Sequence, residues 1–351
     1  MSSVSVAMAT YNGEAHIHEQ LLSLANQSLA PVELVVADDC SGDRTLDIVR
    51  EFARTAPFAV RIYENETRLG YRANFMRAAC LCTSDLISFC DQDDIWNRRK
   101  IETCAECFQD PKVLLAYHNA VVIDAKGQEL GTLDWRAAPR SLNPPMSINP
   151  WLIGPGFTQV FRRSLPAFLD LWSDSKDQNA CGEPMAHDQW FFFLAATLGS
   201  IAYLSAPLAF YRQHGGNLCG WNGASACSKF ERYFTARGAD DSVPLERGCR
   251  RRAEILDAAQ PRLEGVWHER AAEAAMRYRR LEQKYAARRT LYTAPQIGRR
   301  LKAFREILSL GGYGDDDVWK FTGKSLAKDV SVGIFFGHRL QRTPEALEEF
   351  E

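Results

Sequence analysis

Short apolar runs alternate with helix-spaced segments through the first hundred residues. Residues 4–9, VSVAMA, run apolar without alternation, the pattern of a strand covered on both faces. The run breaks at Thr10-Tyr11-Asn12-Gly13. Ile17, Leu21, Leu24 and Ala25 then fall on one helical side, with Asn12 as the expected cap. A second strand, 33–37 (ELVVA), stops at Asp38-Asp39-Cys40-Ser41-Gly42-Asp43, and Asp43 is placed to cap a helix burying Leu46, Val49, Phe52 and Ala53. Residues 59–63 (AVRIY) predict a third strand, followed by a loop with Gly70 and a helix carrying Phe75, Ala78 and Ala79. A fourth strand, 86–90 (LISFC), precedes a helix expected from Trp96 to about Phe108. Strand and helix repeat with short connections, which predicts an α/β fold: a mostly parallel sheet with helices on both faces.

The second half is less regular. Residues 113–124 (VLLAYHNAVVID) form another apolar run with a turn at 124–127, and 134–150 and 173–183 read as loop. Between them, 152–160 (LIGPGFTQV) leads into a short helix at FRRSLPAFL. Residues 190–210 carry no charge and are long enough to span a bilayer. Gly199-Ser200 and Ser205-Ala206-Pro207 punctuate them, however, which predicts a buried helix over about 188–198, a short strand over about 201–204 and a turn. Beyond Ala239 the sequence turns rich in Ala, Arg and Glu. Helices are expected over 244–292 with breaks near Pro261 and Gly265, and over 298–309; an amphipathic element over 324–336 ends in Ile334, Phe335 and Phe336. The expected organisation is an α/β domain over 1–222 and a basic helical region over 240–351.

Composition adds limits. The chain has 351 residues, 46% apolar and 25% charged, and a net charge of −2, so no nucleic-acid partner is expected for the whole molecule. The charge is uneven: Glu246 to Glu306 holds 16 Lys and Arg against 8 Asp and Glu. That segment suits an anionic membrane or lipid-linked substrate as well as a nucleic acid, or simply a solvated surface of i,i+4 pairs. Ten cysteines in a chain this long, with no signal-peptide pattern before Val4, are expected as free thiols in a cytoplasmic protein. Cys104 and Cys107 form a CxxC with no second pair nearby, a weak metal or redox signal.

The strongest chemical signal is ISFCDQDDIW, residues 87–96, where an apolar strand ends in Asp91, Asp93 and Asp94. Crowded carboxylates need a counter-charge, and hard oxygen ligands suit Mg²⁺ or Mn²⁺. In extended backbone Asp91 and Asp93 face one way and Gln92 the other. The alternative is a helix-capping cluster that binds nothing. Neither GxGxxG after the first strand nor GxxxxGK[ST] is present, which takes most of the support from dinucleotide-dehydrogenase and P-loop kinase readings. A nucleoside diphosphate held through a metal stays open, with Asp39 accepting from a base imide N–H and Thr10 and Tyr11 walling the base. In a sheet of this kind the polar clusters ending the strands meet at one edge.

These segments resemble family-2 glycosyltransferases with the GT-A nucleotide-diphospho-sugar transferase fold. VSVAMATYNGEAHIHEQLLSLANQS resembles that family's first strand and helix, ELVVADDCSGD its base-binding acidic pair, and FCDQDDIW its DxD segment as found in bacterial rhamnosyltransferase-like members. The resemblance covers roughly residues 3–220. It implies a nucleotide-binding half over 1–110 and an acceptor-binding half over 111–222. Thr10, Tyr11 and Glu14 would line the nucleotide pocket, Asp39 would hold the base with Asp38 beside it, and Arg68, Arg72 and Asn74 would approach the nucleotide. Asp91 would lie near ribose and metal, and Asp93 would be the main metal ligand. GEPMAHDQWFF, residues 182–192, resembles the acceptor-side acidic motif, with Asp188 as general base. In AFYRQHGGNLCG, residues 209–220, His214 would complete the metal site, Arg212 would contact the diphosphate, and the paired glycines suggest a loop that closes over the donor. Trp151 and Trp190 are either sugar platforms or core.

The implied activity is inverting transfer of rhamnose or a hexose, from dTDP-rhamnose or a UDP-hexose, to a growing cell-surface glycan that can be lipid-linked. The basic region would allow peripheral association with the inner membrane face. A sugar-phosphate nucleotidyltransferase would want a glycine- and lysine-rich loop after strand one, which TYNGEAH lacks; a non-catalytic nucleotide-sugar binder would bind donor without turnover.

Overall fold

The computed structural model describes residues 3–133, 140–177, 182–215, 242–314 and 318–337. The chain divides into two compact units, Met1–Asp170 with Ala186–Trp221 and Leu171–Met185 with Asn222–Glu351.

The first unit is built on a ten-stranded mixed sheet. Its strands are β1 (Val4–Thr10), β2 (Glu33–Asp38), β3 (Ala59–Glu64), β4 (Leu86–Cys90), β5 (Ile95–Trp96), β6 (Val113–Asp124), β7 (Glu129–Leu133), β8 (Leu142–Asn143), β9 (Val160–Arg162) and β10 (Ser200–Gln213). The order is β3-β2-β1-β4-β9-β6-β10-β5, with β7 on β6 and β8 on β10. Its helices are α1 (Ile17–Ala25), α2 (Thr45–Ala53), α3 (Gly70–Leu81), α4 (Lys100–Glu106) and α5 (His187–Leu198).

Every residue of β2 is buried and β3, at the edge, is half-exposed, so the unbroken apolar runs of the sequence mark the strands covered on both faces. Strands β1, β2, β3 and β4 are parallel, and β6 runs parallel to β10. Because β9 is antiparallel to both β4 and β6, the parallel sets point the same way, and their carboxyl ends share one edge. The order 3-2-1-4 places a reversal of winding between β1 and β4, where open α/β sheets leave a crevice.

Two elements depart from expectation. The short strand and turn expected over 201–207 are one long strand, β10. Its ladder with β6 slips between Leu204 and Pro207, and this bulge admits a proline that cannot donate to the ladder. The helix expected after Trp96 begins only at Lys100, because Ile95-Trp96 pair with β10.

The second unit contains α6 (Ser242–Ala259), α7 (Gly265–Thr293), α8 (Ile297–Ser309), α9 (Gly323–Lys328) and, after a wide turn at Asp329–Gly333, α10 (Ile334–Phe336). The break between α6 and α7 falls where Pro261 removes a donor and Gly265 adopts φ +54. No described helix is long and apolar enough to cross a membrane. The described cysteines are all free, and Cys104 of the CxxC is buried in the core.

Candidate active site

Strand pairing sets Thr10 opposite Asp38 and Met8 opposite Cys90, so the polar segments leaving β1, β2 and β4 start side by side. Thr10 Oγ1 donates to Asp38 Oδ1 at 2.7 Å, and the Ser41 N–H and hydroxyl also donate to Asp38. Asp38 therefore knots the chain as it leaves β2. Asp39 accepts from Asn65 Nδ2 at 2.9 Å and from the N–H groups of Leu69 and Gly70 at 2.6 and 2.8 Å. Those N–H groups open α3, where the peptide dipoles favour a carboxylate. Asp39 thus holds the loop bearing Arg68, whose guanidinium lies 3.8 Å over the Tyr11 ring. With three of about four lone-pair positions engaged, its carboxylate keeps room for one more donor.

Asn12 does not cap α1. It sits at φ 46 and accepts from the Gly42 N–H at 2.8 Å, joining the two loops instead. Glu14 accepts from the Arg44 N–H at 3.0 Å at the start of α2. Asn74 is buried with both ends of its amide engaged, to Ala37 O at 2.8 Å and Asn65 Nδ2 at 2.9 Å, and so ties α3 to β2. The Arg72 guanidinium lies 5.1 Å from the Tyr71 ring.

Past β4, Gln92 turns its amide onto Tyr11, accepting from its N–H at 2.9 Å and donating to its carbonyl at 3.0 Å. Asp93 Oδ2 lies 2.8 Å from His214 Nε2. Asp94 is buried; Oδ1 accepts from the Arg212 N–H at 3.1 Å, while Oδ2 meets no hydrogen-bond partner among the described residues. Burial, then the charges of Asp93 and Asp188, push the Asp91 carboxyl up to about 7 against the pull of Lys100. Burial, Asp93 and Asp91 raise Asp94 as well. The segment after β4 thus feels charge from the start of α5.

Asp188 lies in the first turn of α5, half-buried, with Oδ1 accepting from the Gln189 N–H at 2.8 Å. Gln159 Nε2 holds its carbonyl at 3.1 Å. The preceding His187 is stacked on Phe75 at 3.9 Å and meets Phe89 edge-on at 4.8 Å. Neither of its ring nitrogens has a hydrogen-bond partner among the described residues. Burial, then the Arg72 charge, push its pKa down to about 3, so the ring is neutral. A side chain at Gly156 would begin 2.3 Å from His187 Nε2, which is why glycine stands there. Trp190 is fully buried and belongs to the core, whereas Trp151 is half-buried.

Arg212, expected at the diphosphate, is 2% exposed and turned into the protein. Nε donates to Asp93 O at 2.9 Å, Nη1 to Ala125 O at 3.2 Å, and Nη2 pairs with Glu19. It braces the ends of β4, β6 and β10 against α1. His214 follows from the same brace, its ring 4.9 Å from that of His16. Of the paired glycines after it, Gly216 lies outside the described residues.

Three members of this cluster escaped the sequence reading: His16, Glu19 and Lys100. Lys100 is buried, donates to Phe157 O at 2.6 Å, and sits 3.3 Å over the Trp96 ring. Burial lowers its pKa to about 8, opposed by Cys90, Cys104, Asp94 and Asp91. Its position was detectable, since 100, 101, 104, 105 and 108 share the inward side of one helical turn pattern. His16 and Glu19 had no such signal.

The donor types present, two carboxylates and one imidazole, are those that Mg²⁺ or Mn²⁺ accepts, and the crowding that raises Asp91 is the state a cation relieves. Among the described residues no three His, Cys, Asp or Glu side chains converge as a complete ligand set.

Residues 5–169 match the family model described as glycosyl transferase family 2. The dTDP-rhamnosyl transferase RfbG of Shigella flexneri is 31% identical over 246 residues, 66% of this chain and 79% of that protein. An uncharacterized protein of Mycobacterium tuberculosis, Rv1520, is 28% identical over 253 residues, 69% of this chain and 67% of its own. Among solved structures, Staphylococcus aureus TarS 1-349 in complex with UDP-GlcNAc aligns with TM-score 0.47 and 20% identity, covering 89% of this chain and 93% of that one. The chain belongs to glycosyl transferase family 2 and is a nucleotide-sugar glycosyltransferase of the GT-A type.

Proposed function

We propose that the protein is an inverting, metal-dependent transferase that moves rhamnose or a hexose from a nucleoside-diphosphate sugar to a hydroxyl of a growing cell-surface glycan. One observation carries the reading: the charges of Asp93 and Asp188 both bear on Asp91. Asp91, two residues before Asp93, also feels the charge of Asp188, 97 residues further on, which supports a donor-side and an acceptor-side carboxylate acting together. The relative RfbG, named for dTDP-rhamnosyl transfer, favours dTDP-rhamnose as donor.

In this reading the base sits against Asp39, beside the Tyr11–Arg68 stack, with Thr10 and Glu14 holding the loops that shape the pocket and Arg72 near by. Asp93 and His214, with Asp91, would hold Mg²⁺ or Mn²⁺, which when bound offsets charge on the departing nucleoside diphosphate. Arg212, Asp38 and Asn74 keep those loops in register and do not touch the donor. Asp188 takes the proton of the acceptor hydroxyl as that oxygen attacks the anomeric carbon from the face opposite the leaving group. One displacement without a covalent intermediate inverts the centre, and holding both partners in line supplies much of the rate. Neutral His187, wedged between Phe75 and Phe89, fixes the start of α5 and so the aim of Asp188.

The test is a screen of dTDP- and UDP-sugars for metal-dependent binding by calorimetry, followed by nucleoside-diphosphate release with a glycan acceptor. Metal-independent binding, or an unchanged rate in Asp188→Asn, would overturn the reading.

A further inference from the structure

Helix α8 buries one side through Arg300, Ala303 and Ile307. About a quarter-turn away, Ile297, Leu301, Phe304 and Leu308 recur at i, i+4, i+7 and i+11, within an arc of about 60°. Three of the four face water, Ile297 and Leu308 each 49% exposed and Leu301 39%, while Phe304 is half-buried with its ring 6.0 Å from that of Tyr313. The end of the adjoining segment adds two aromatics. Arg300 Nε donates to Ile334 O at 2.7 Å, tying α10 to α8, and the next residues, Phe335 and Phe336, are 56% and 52% exposed. An isolated exposed leucine needs no explanation, but here three exposed apolar residues recur on one side of a helix, and an exposed Phe pair sits on a segment tied to that helix.

The charge on the same elements says what fits. Arg299, Lys302 and Arg305 are exposed on α8 against one acid, Glu306. On α7 the exposed Arg280, with Arg277 paired to Glu273 and the buried Lys284, lines a pocket of about 160 Å³ with Leu281 and Trp319. Arg280 Nε donates to Leu310 O at 3.0 Å, so this pocket lies at the far end of α8. A second copy of the chain is a poor occupant. A two-fold contact would set the same patch against itself and bring like charges together. An anionic bilayer surface matches both features, since its headgroups meet the cations and its acyl boundary takes the apolar stripe.

We propose that α8 and the Phe335-Phe336 pair form a membrane-docking face that lies in the interface of an anionic phospholipid bilayer. The inference gives the basic helical unit a partner and stands on its own whether or not the transfer reading holds.

The test is flotation of the full-length protein with vesicles of phosphatidylcholine alone or with a third phosphatidylglycerol. Wild type is expected to float with the anionic vesicles. The pairs L301Q/L308Q and F335S/F336S are each expected to lower the bound fraction on the order of tenfold. R299Q/K302Q/R305Q is expected to remove the preference for anionic lipid and its salt dependence. All of these substitutions are at exposed positions, so circular dichroism and nucleoside-diphosphate release with a soluble acceptor should match wild type, which separates this result from any failure of the transfer reading. The proposal is overturned if wild type floats with neither vesicle or if the apolar variants float as wild type does. It is equally overturned if light scattering shows a dimer that these variants dissolve, or if binding appears only after residues 338–351 are removed.

Discussion

His214 Nε2 lies 2.8 Å from Asp93 Oδ2 across 121 residues of sequence. The contact exists because β10 runs parallel to β6 and ends at the same edge as β4, with Arg212 holding the Asp93 carbonyl and the Asp94 carboxylate from one residue. Sheet order and a buried arginine thus bring a carboxylate and an imidazole from two remote segments together.

Replacing that pair should separate metal use from folding. Asp93→Ala is expected to lower kcat/KM on the order of 10³-fold, since Lewis-acid stabilisation amounts to several kcal/mol. His214→Ala should lose on the order of tenfold and shift the metal concentration giving half-maximal rate upward. Both should melt near wild type. A D93A enzyme with the wild-type rate and metal response would remove the metal site from the account.

Asp188→Asn keeps the shape of the α5 start and removes the carboxylate proposed as the base. We expect kcat to fall about 10²–10⁴-fold with little change in donor KM. Steady-state kinetics with varied donor and acceptor check this. A drop confined to donor KM would move Asp188 out of the proton-transfer role.

Arg212 should behave as a brace. Arg212→Met leaves the carbonyls of Asp93 and Ala125 without their charged donor, a loss of about 2–3 kcal/mol. Glu19→Gln should lose less than about 1 kcal/mol, because the Glu19 carboxylate is more than half exposed. Urea unfolding of both variants gives the comparison. Equal, small losses would contradict the buried geometry.

His187 makes a pH prediction. Its unfolded imidazole titrates near 6.5, while the folded ring is pushed down to about 3 by burial and then Arg72. Below 6.5 the unfolded chain takes up the proton and the folded chain does not. Its contribution to stability is therefore complete above 6.5 and declines toward 3, by about 1.4 kcal/mol per pH unit inside that window. Urea midpoints between pH 7.5 and 5 should fall less in His187→Phe than in wild type; matching slopes would show that the folded ring titrates normally.

The central strands were legible because a strand covered on both faces must be apolar at every position, as in ELVVA, which β2 reproduces with one residue added at Asp38. The acidic segments at strand ends were legible too, since Asp91, Asp93 and Asp94 following five apolar or small residues have no packing reason. Asn12 was misread because a capping residue and a loop-bridging residue have the same chemistry, and its positive φ decides between them. Arg212 carries a charge beside a metal motif, which suggests a ligand contact in sequence, whereas its burial and its bonds to Asp93, Ala125 and Glu19 become known only in the fold.

The chain's pattern alone therefore determined the alternation of strand and helix, the helical character of the second unit and the residue types able to hold a metal and a diphosphate. These depend on local spacing and side-chain chemistry, which survive without tertiary structure. Only the folded sheet decided which charged groups meet one another: His214 on Asp93, Arg212 on Glu19, Lys100 on Phe157 in the core. A side chain's charge is written in sequence, but its solvation and its neighbours are set by strands that meet from more than a hundred residues apart.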